Sequence, residues 1–426
     1  NANKIANNYL GIPEAEMTIM ALAPSIFIVA VSSVLRGYFN GREKIRITAN
    51  SQSLEQILKT ILTIIMVEIL STLSKKNTAT IVAGAAIAAT ISTFFSFAYL
   101  YILYFKNKQE VWKDVITSTL KERECISRII KNILYISFPI TITSLLATAN
   151  KTIDTFTIVN IIGKYMDREN AKFQYGILSG KVEGLVVLPY SFNIAFAITL
   201  VPTISAAQAR GEITQAIKRI KFSILATILI SLPCTAILFI FAEPILKLLF
   251  PNAYLGKTML KLSSLSIIFV AITQTIGGVL QGLKRVKEPA IAIGIGAIVK
   301  LTLNVVLLQI KDLNINGAII STIISHIITF IISFYYLKKY VPINFNIIKF
   351  VLKPIVTTTI MVLISLTTYS NLQICISQNL NLIFSLIIGG ISYIIAIVFL
   401  RILSKEEICM LPYGNKIYKT RNRKIL

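Results

Sequence analysis

The chain has 426 residues, of which 55% are hydrophobic and only 15% charged, whereas a typical soluble domain carries about a quarter charged residues. That balance excludes a water-soluble globule. Lysine and arginine number 43 against 19 acidic residues, a formal net charge of +24; in a membrane protein such an excess belongs to loops on one side rather than to nucleic-acid binding, so no nucleic-acid partner is expected.

A crossing of a hydrocarbon core about 30 Å thick takes roughly 20 apolar residues. Long apolar stretches between charge clusters therefore predict an all-α polytopic membrane protein with eleven spans, in chain order at about 17–38, 52–72, 79–104, 132–158, 184–206, 222–249, 262–283, 289–310, 315–337, 350–369 and 380–401. The loops after every odd-numbered span, with the tail, hold 26 lysines and arginines, and the alternate set holds 10. The positive-inside bias places the richer side, and with it the C-terminus, in the cytoplasm. An odd number of spans then puts Asn1 outside. The first 16 residues show no cationic segment followed by an apolar run, so no signal peptide is read here, and an odd number of further helices is expected ahead of Asn1.

An internal repeat points the same way. At an offset of 241 residues, APSIFIVAVSSVLRGYFNG (23–41) lies over SLSIIFVAITQTIGGVLQG (264–282), and the register continues through Lys44 on Arg285, Arg46 on Lys287 and Lys59 on Lys300. The first two spans thus map onto the seventh and eighth. This predicts two six-helix lobes, the first lacking three helices, plus two C-terminal helices, or 11 of a probable 14. The expected divisions are 1–104 for the second half of the N-terminal lobe and 105–131 for a cytoplasmic linker. They continue with 132–339 for the C-terminal lobe, 340–401 for the two additional helices and 402–426 for a basic tail. Within the linker, Val111, Trp112, Val115, Ile116 and Leu120 recur at helical spacing among lysines, as on a helix lying on the membrane surface.

Charge inside an apolar span costs at least a few kcal/mol, so it normally faces a wet cavity or a partner. Lys300 is the clearest case, roughly 17 Å into its span at about 1.5 Å per residue, with Asn304 on the same face at i+4. Its repeat counterpart Lys59 shares a face with Glu55. Two lysines at equivalent places in two lobes could clamp a pyrophosphate; the plainer reading pairs Lys59 with Glu55 and lets it snorkel. Lys151 and Asp154 stand three apart, either as an ion-coupling site for a proton or sodium ion or as a static intrahelical pair, with Asn150 adjacent. Arg36 ends the first span just before GYFNG and has Gly277 at its repeat position; it reads as an interfacial anchor or a phosphate contact.

Asn193, four residues after Pro189, is the polar candidate lining its helix. GYFNG (37–41) and GVLQG (278–282) are GxxxG pairs suited to close helix approach, and Pro139, Pro189 and Pro202 can kink their helices. His326, the single histidine, reads as a packing or hydrogen-bonding residue. Cys125, Cys234, Cys375 and Cys409 show neither disulfide nor metal spacing, and no metal or other cofactor is expected. With no GxxxxGK[ST], HExxH or strand-borne GxSxG, enzymatic and ATP-driven chemistry is disfavoured.

The run LAPSIFIVAVSSVLRGYFNGREKIRITANSQSLEQILKTI (22–61), together with LPYSFNIAFAITLVPTISAAQARGE and FAEPILKLLFPNAY, resembles stage V sporulation protein B and related polysaccharide transporters. These belong to the multidrug, oligosaccharidyl-lipid and polysaccharide flippase superfamily, and the likeness covers essentially the whole chain. It implies a two-lobed fold with two added helices in the bacterial cytoplasmic membrane. It also implies alternating-access export of an undecaprenyl-pyrophosphate-linked oligosaccharide, such as lipid II for cortex peptidoglycan. The family's first helix supplies cavity arginines and has no counterpart in this sequence. A cation-coupled multidrug antiporter of the same fold, which would want an apolar or acidic cavity, and a non-transporting scaffold or fragment are the alternatives.

Overall fold

The computed structural model describes residues 1–42, 44–73, 77–117, 125–251, 254–372, 377–404 and 406–407. Among them all regular structure is helical and no strand occurs, as expected where lipid offers backbone groups no partner. Nine helices of the described residues are long and apolar enough to cross a membrane. The predicted spans 132–158 and 184–206 also fall on helices, outside those nine. The chain divides into two compact units, Asn1–Ile130 and Lys131–Leu426.

In the first unit, short helical turns precede α1 (Glu16–Gly41), α2 (Ile45–Leu73) and α3 (Thr78–Thr117). Asn77 starts α3 by accepting the Ala79 backbone N–H at 3.1 Å, which satisfies one orphan donor of the first turn. α3 packs along both α1 and α2, which themselves barely touch. Packing in lipid rests on close approach and interhelical hydrogen bonds rather than on the hydrophobic effect. Accordingly Thr90 donates to the Ala21 carbonyl at 2.8 Å and Ser96 to that of Ser51 at 3.0 Å. Ile26, Phe27, Val34 and Ile64 stand exposed on the outer faces, a surface suited to apolar surroundings and not to water.

α3 continues without a break to Thr117, so the start of the expected surface helix is a prolongation of the third span. The side chains of 109–124, including Val111, Trp112, Val115, Ile116 and Leu120, lie outside the described residues. So do Cys375, Cys409 and the lysines and arginines of the tail.

The boundary between the units falls in the first turns of α4 (Ile126–Ile162). The second unit continues with α5 (Arg168–Gly176), α6 (Glu183–Ala209), α7 (Ile213–Ile240), α8 (Ala242–Leu249), α9 (Lys257–Ser264) and α10 (Ser266–Gly282). It ends with α11 (Lys287–Leu307), α12 (Asn316–Tyr340), α13 (Lys353–Leu372) and α14 (Gln378–Phe399). Two predicted spans are each two helices. The 222–249 stretch breaks at Phe241, where Pro244 suits the first turn of a new helix better than the interior of an old one. The 262–283 stretch is preceded by α9 and turns at Leu265.

The repeat is visible in the packing of each unit. α1 ends at Gly41 and α10 at Gly282, the offset read from the sequence. α12 packs along both α10 and α11, which barely touch, just as α3 serves α1 and α2. The units differ where the charge lies. Arg36 and Glu55 pair at 2.7 Å between α1 and α2, whereas Gly277 and Gly296 hold the equivalent positions. A Cβ on Gly296 would sit 2.1 Å from Thr329 Oγ1 and 3.3 Å from the Ser325 carbonyl. Where the first unit has a carboxylate at Glu55, the second has a close contact of α11 with α12. Of the two GxxxG pairs, Gly282 abuts Val201 and Ile204 of α6, while Gly37 and Gly41 meet no neighbour. Only the second is a packing seam among the described residues.

Candidate functional site

Lys300 lies in the C-terminal half of α11, and its side chain is 2% exposed. An ammonium at that depth requires a partner, and α4 supplies it. Lys300 Nζ donates to Asp154 Oδ2 at 2.6 Å and to the Asn150 carbonyl at 2.8 Å. The second carboxylate oxygen is also engaged: Asn304 Nδ2 donates to Asp154 Oδ1 at 2.9 Å and to Thr157 Oγ1 at 3.0 Å. The Ser321 hydroxyl of α12 donates in turn to Asn304 Oδ1. Residues from α4, α11 and α12 thus form one buried network. Lys300 and Asn304 fall on one face of α11 because they stand one turn apart.

The network opens onto a cavity of about 240 Å³. Its other charged lining groups are Lys151 and Glu183, 3.4 Å apart, and its polar wall includes Tyr190, Gln274 and His326. Two cations face two carboxylates, so the formal charge of the lining cancels. The volume lies below the range of about 300–1,000 Å³ usual for drug-sized ligands. It suits water, a small ion or a single phosphate and not an oligosaccharide. At an effective dielectric of about 20, opposite charges 2.6 Å apart attract by about 6 kcal/mol, comparable with the several kcal/mol lost by desolvating each ion. Near balance makes the pair sensitive to hydration.

The remaining candidates fall elsewhere, with different partners from those their spacing suggests. Lys151 is 70% exposed and pairs with Glu183, while Asp154, three residues on, turns inward to Lys300. The expected intrahelical pair is therefore two interhelical ones, because positions three apart on α4 face different neighbours. Arg36, expected at an interface or a phosphate, pairs with Glu55 and donates to Ser96 Oγ at 3.1 Å inside the first unit. Glu55 is thereby taken, and Lys59 is exposed with no ion pair among the described residues.

Asn193 lines neither cavity bordering α6. It is 3% exposed, donates to the Ala271 carbonyl at 2.6 Å and accepts from Thr227 at 2.8 Å and Thr275 at 3.2 Å, tying α6 to α7 and α10. Its position four after Pro189 suits this core role, since the Pro-interrupted ladder of α6 gains rigidity from neighbours. Glu183 and Gln274 were not singled out by sequence. Glu183 opens α6 beside a charged loop, and its inward orientation depends on Lys151. Of the cysteines, Cys234 is half-buried and Cys125 exposed. Among the described residues no group of His, Cys, Asp and Glu is disposed to hold a metal.

Comparison with known proteins places the chain in a family. The sequence profile "Lipid II flippase MurJ" matches residues 14–389. The "Uncharacterized membrane protein YabM" of Bacillus subtilis (strain 168) is 27% identical over 98% of this chain and 78% of its own length. "Stage V sporulation protein B" of the same organism is 24% identical over 92% of this chain and 75% of its own. Its "Lipid II flippase MurJ" is 23% identical, and the match spans 80% of this chain and 63% of that protein. The solved structure "Lipid II flippase MurJ, inward closed conformation" shares the fold with a TM-score of 0.65 at 19% identity, covering 91% of this chain and 74% of that one. An inward-facing multidrug resistance MATE family transporter of the MOP superfamily shares it at 0.60 and 14% identity, over 77% and 72% of the two chains. The fold is that of membrane transporters, and the chain belongs to the lipid II flippase MurJ family.

Proposed function

We propose that the protein is a flippase that moves a polyprenyl-pyrophosphate-linked oligosaccharide, lipid II or a polysaccharide repeat unit, across the cytoplasmic membrane by alternating access. The observation that carries the reading is the family match across residues 14–389. The C-terminus lies in the cytoplasm, on the side of the basic loops, and eleven helices cross the membrane. In this reading Asp154 and Lys300 form the coupling element. A proton or sodium ion reaching Asp154 weakens its hold on Lys300, and the two states of the pair favour different arrangements of α4 against α11. Lys59, exposed and with no ion pair among the described residues, is a cation available to a substrate phosphate.

The experiment is reconstitution into vesicles with labelled lipid II on one leaflet. Protein-dependent movement supports the reading, and movement no faster than in empty vesicles overturns it. A cation-coupled drug antiporter is favoured by one observation, the charge-balanced lining of the Asp154 cavity. Uptake of a cationic dye driven by an ion gradient, with lipid II stationary, would establish that reading instead.

A further inference from the structure

A second, larger cavity of about 770 Å³ lies at the end of the second unit formed by the loops after α4, α8 and α11, all from the set poor in basic residues. Its volume falls within the range of a small organic ligand, unlike that of the Asp154 cavity. Four carboxamides line it, and the oxygens of three of them, Gln174 Oε1, Asn314 Oδ1 and Asn316 Oδ1, are buried with no hydrogen-bond partner among the described residues. Buried carbonyl oxygens in folded proteins are nearly always satisfied, so three together at one wall call for a ligand that brings donors. Beside them two aromatic rings are exposed, Phe173 at 57% and Tyr254 at 48%, the latter with Lys247 Nζ 5.3 Å from its ring centroid on one face.

The local sequence builds this wall deliberately. Phe173 and Gln174 are neighbours on one face of α5, a turn beyond Asn170, which also lines the cavity. Asn314 holds a left-handed backbone with φ of 46°, a conformation asparagine tolerates better than most residues, and this turn sets Asn316 at the start of α12. Gly256, at φ 108°, forms the floor, where a Cβ would lie 2.7 Å from Ile177. The single carboxylate of the lining, Glu243, is already held by Lys247 at 2.8 Å and Lys257 at 2.5 Å, so the cavity offers no spare anion to a hard cation.

We infer that this cavity is a glycan-binding site that takes a neutral pyranose, with the C–H face of the sugar on Phe173 and Tyr254 and its hydroxyl or acetamido N–H groups donating to Gln174, Asn314 and Asn316. Uncharged carboxamide acceptors match uncharged donors, and the exposed ring faces match an apolar C–H surface. The site stands apart from Asp154 and Lys300, so sugar binding without lipid movement would leave this inference standing and overturn the transport reading alone.

The test is saturation-transfer NMR on the whole protein in lipid nanodiscs, with free N,N′-diacetylchitobiose as probe. The expected result is transfer to the pyranose ring protons, reduced about tenfold by Phe173→Ala or Tyr254→Ala. Because both side chains are exposed, these variants keep the thermal unfolding temperature of the parent. Gln174→Met, which preserves bulk and removes only the acceptor, weakens binding in the same direction. No transfer at millimolar probe, transfer indifferent to all three substitutions, or displacement of the sugar by millimolar calcium would each overturn the assignment.

Discussion

Asp154 of α4 and Lys300 of α11 meet at 2.6 Å with side chains 7% and 2% exposed, although 146 residues separate them in the chain. A charge so buried is tolerated only while its partner is present. Asp154→Asn leaves an unpaired ammonium and Lys300→Met an unpaired carboxylate. Each single change is expected to destabilise the second unit by about 3–5 kcal/mol, and the double variant to recover most of the loss. Thermal unfolding of the four proteins in detergent, read as a double-mutant cycle, checks this. Additive losses would show that the two side chains do not depend on one another.

Lys151 offers the contrast. Its side chain is 70% exposed and its distance to Glu183 is 3.4 Å, and exposed pairs contribute about 0–1 kcal/mol. Lys151→Ala should therefore leave unfolding within about 0.5 kcal/mol of the parent, while Asp154→Asn abolishes any dependence of transport on an imposed proton or sodium gradient. Gradient-dependent transport surviving in Asp154→Asn would remove Asp154 from coupling.

In the first unit, Glu55 accepts from Arg36, and Lys59 stands apart. Glu55→Gln weakens the α1 to α2 contact and lowers the unfolding temperature, whereas Lys59→Ala leaves it unchanged. If Lys59 meets a substrate phosphate, Lys59→Ala slows lipid movement about tenfold, the effect of about 1.4 kcal/mol on a rate. Equal unfolding losses in both variants would show that Lys59 has a structural partner.

Glu407 ties the segment beyond α14 to the turn before α13. Burial works against its carboxylate, but hydrogen bonds from Lys349 Nζ at 2.7 and 2.8 Å and from the Ser404 backbone N–H at 2.7 Å prevail and hold its pKa below the usual carboxylate range. A depressed folded pKa gives stability that is complete above the ordinary carboxylate value and is lost as pH falls through the folded one. Protease cutting of the C-terminal segment should therefore rise on acidification below about pH 4, and Glu407→Gln should show the raised cutting already at neutral pH. A variant cut no faster than the parent at neutral pH would show that the contact does not hold the segment.

Lys300, Asp154 and Asn304 stand out in sequence because polar groups within apolar spans are expensive, and that cost is local. Their partnership is not local. Lys151 is nearer to Asp154 along the chain than Lys300 is, yet the rotation of α4 sends the two side chains to different neighbours. The same limit explains Arg36, whose position at a helix end suggests a headgroup while α2 and α3 provide Glu55 and Ser96. Helix existence followed from apolar runs, but the breaks at Phe241 and Leu265 did not, since the local signals beside them, Glu243 and Pro244 in one case and Ser263, Ser264 and Ser266 in the other, are short interruptions of long apolar stretches. Gly41 and Gly282, matched at one offset in the sequence, each end a helix. The repeat diverges at Arg36 and Glu55, an ion pair whose counterparts are Gly277, with open space around it, and Gly296, which lies close against Thr329 and Ser325 of α12.

The most direct measurement is the movement of labelled lipid II between leaflets of vesicles containing the reconstituted protein, followed for the parent and for Asp154→Asn. The expected result is protein-dependent movement that responds to an ion gradient in the parent and no longer responds in the variant. Lipid II that stays in its original leaflet, in vesicles where the parent protein is folded and correctly inserted, would contradict a flippase.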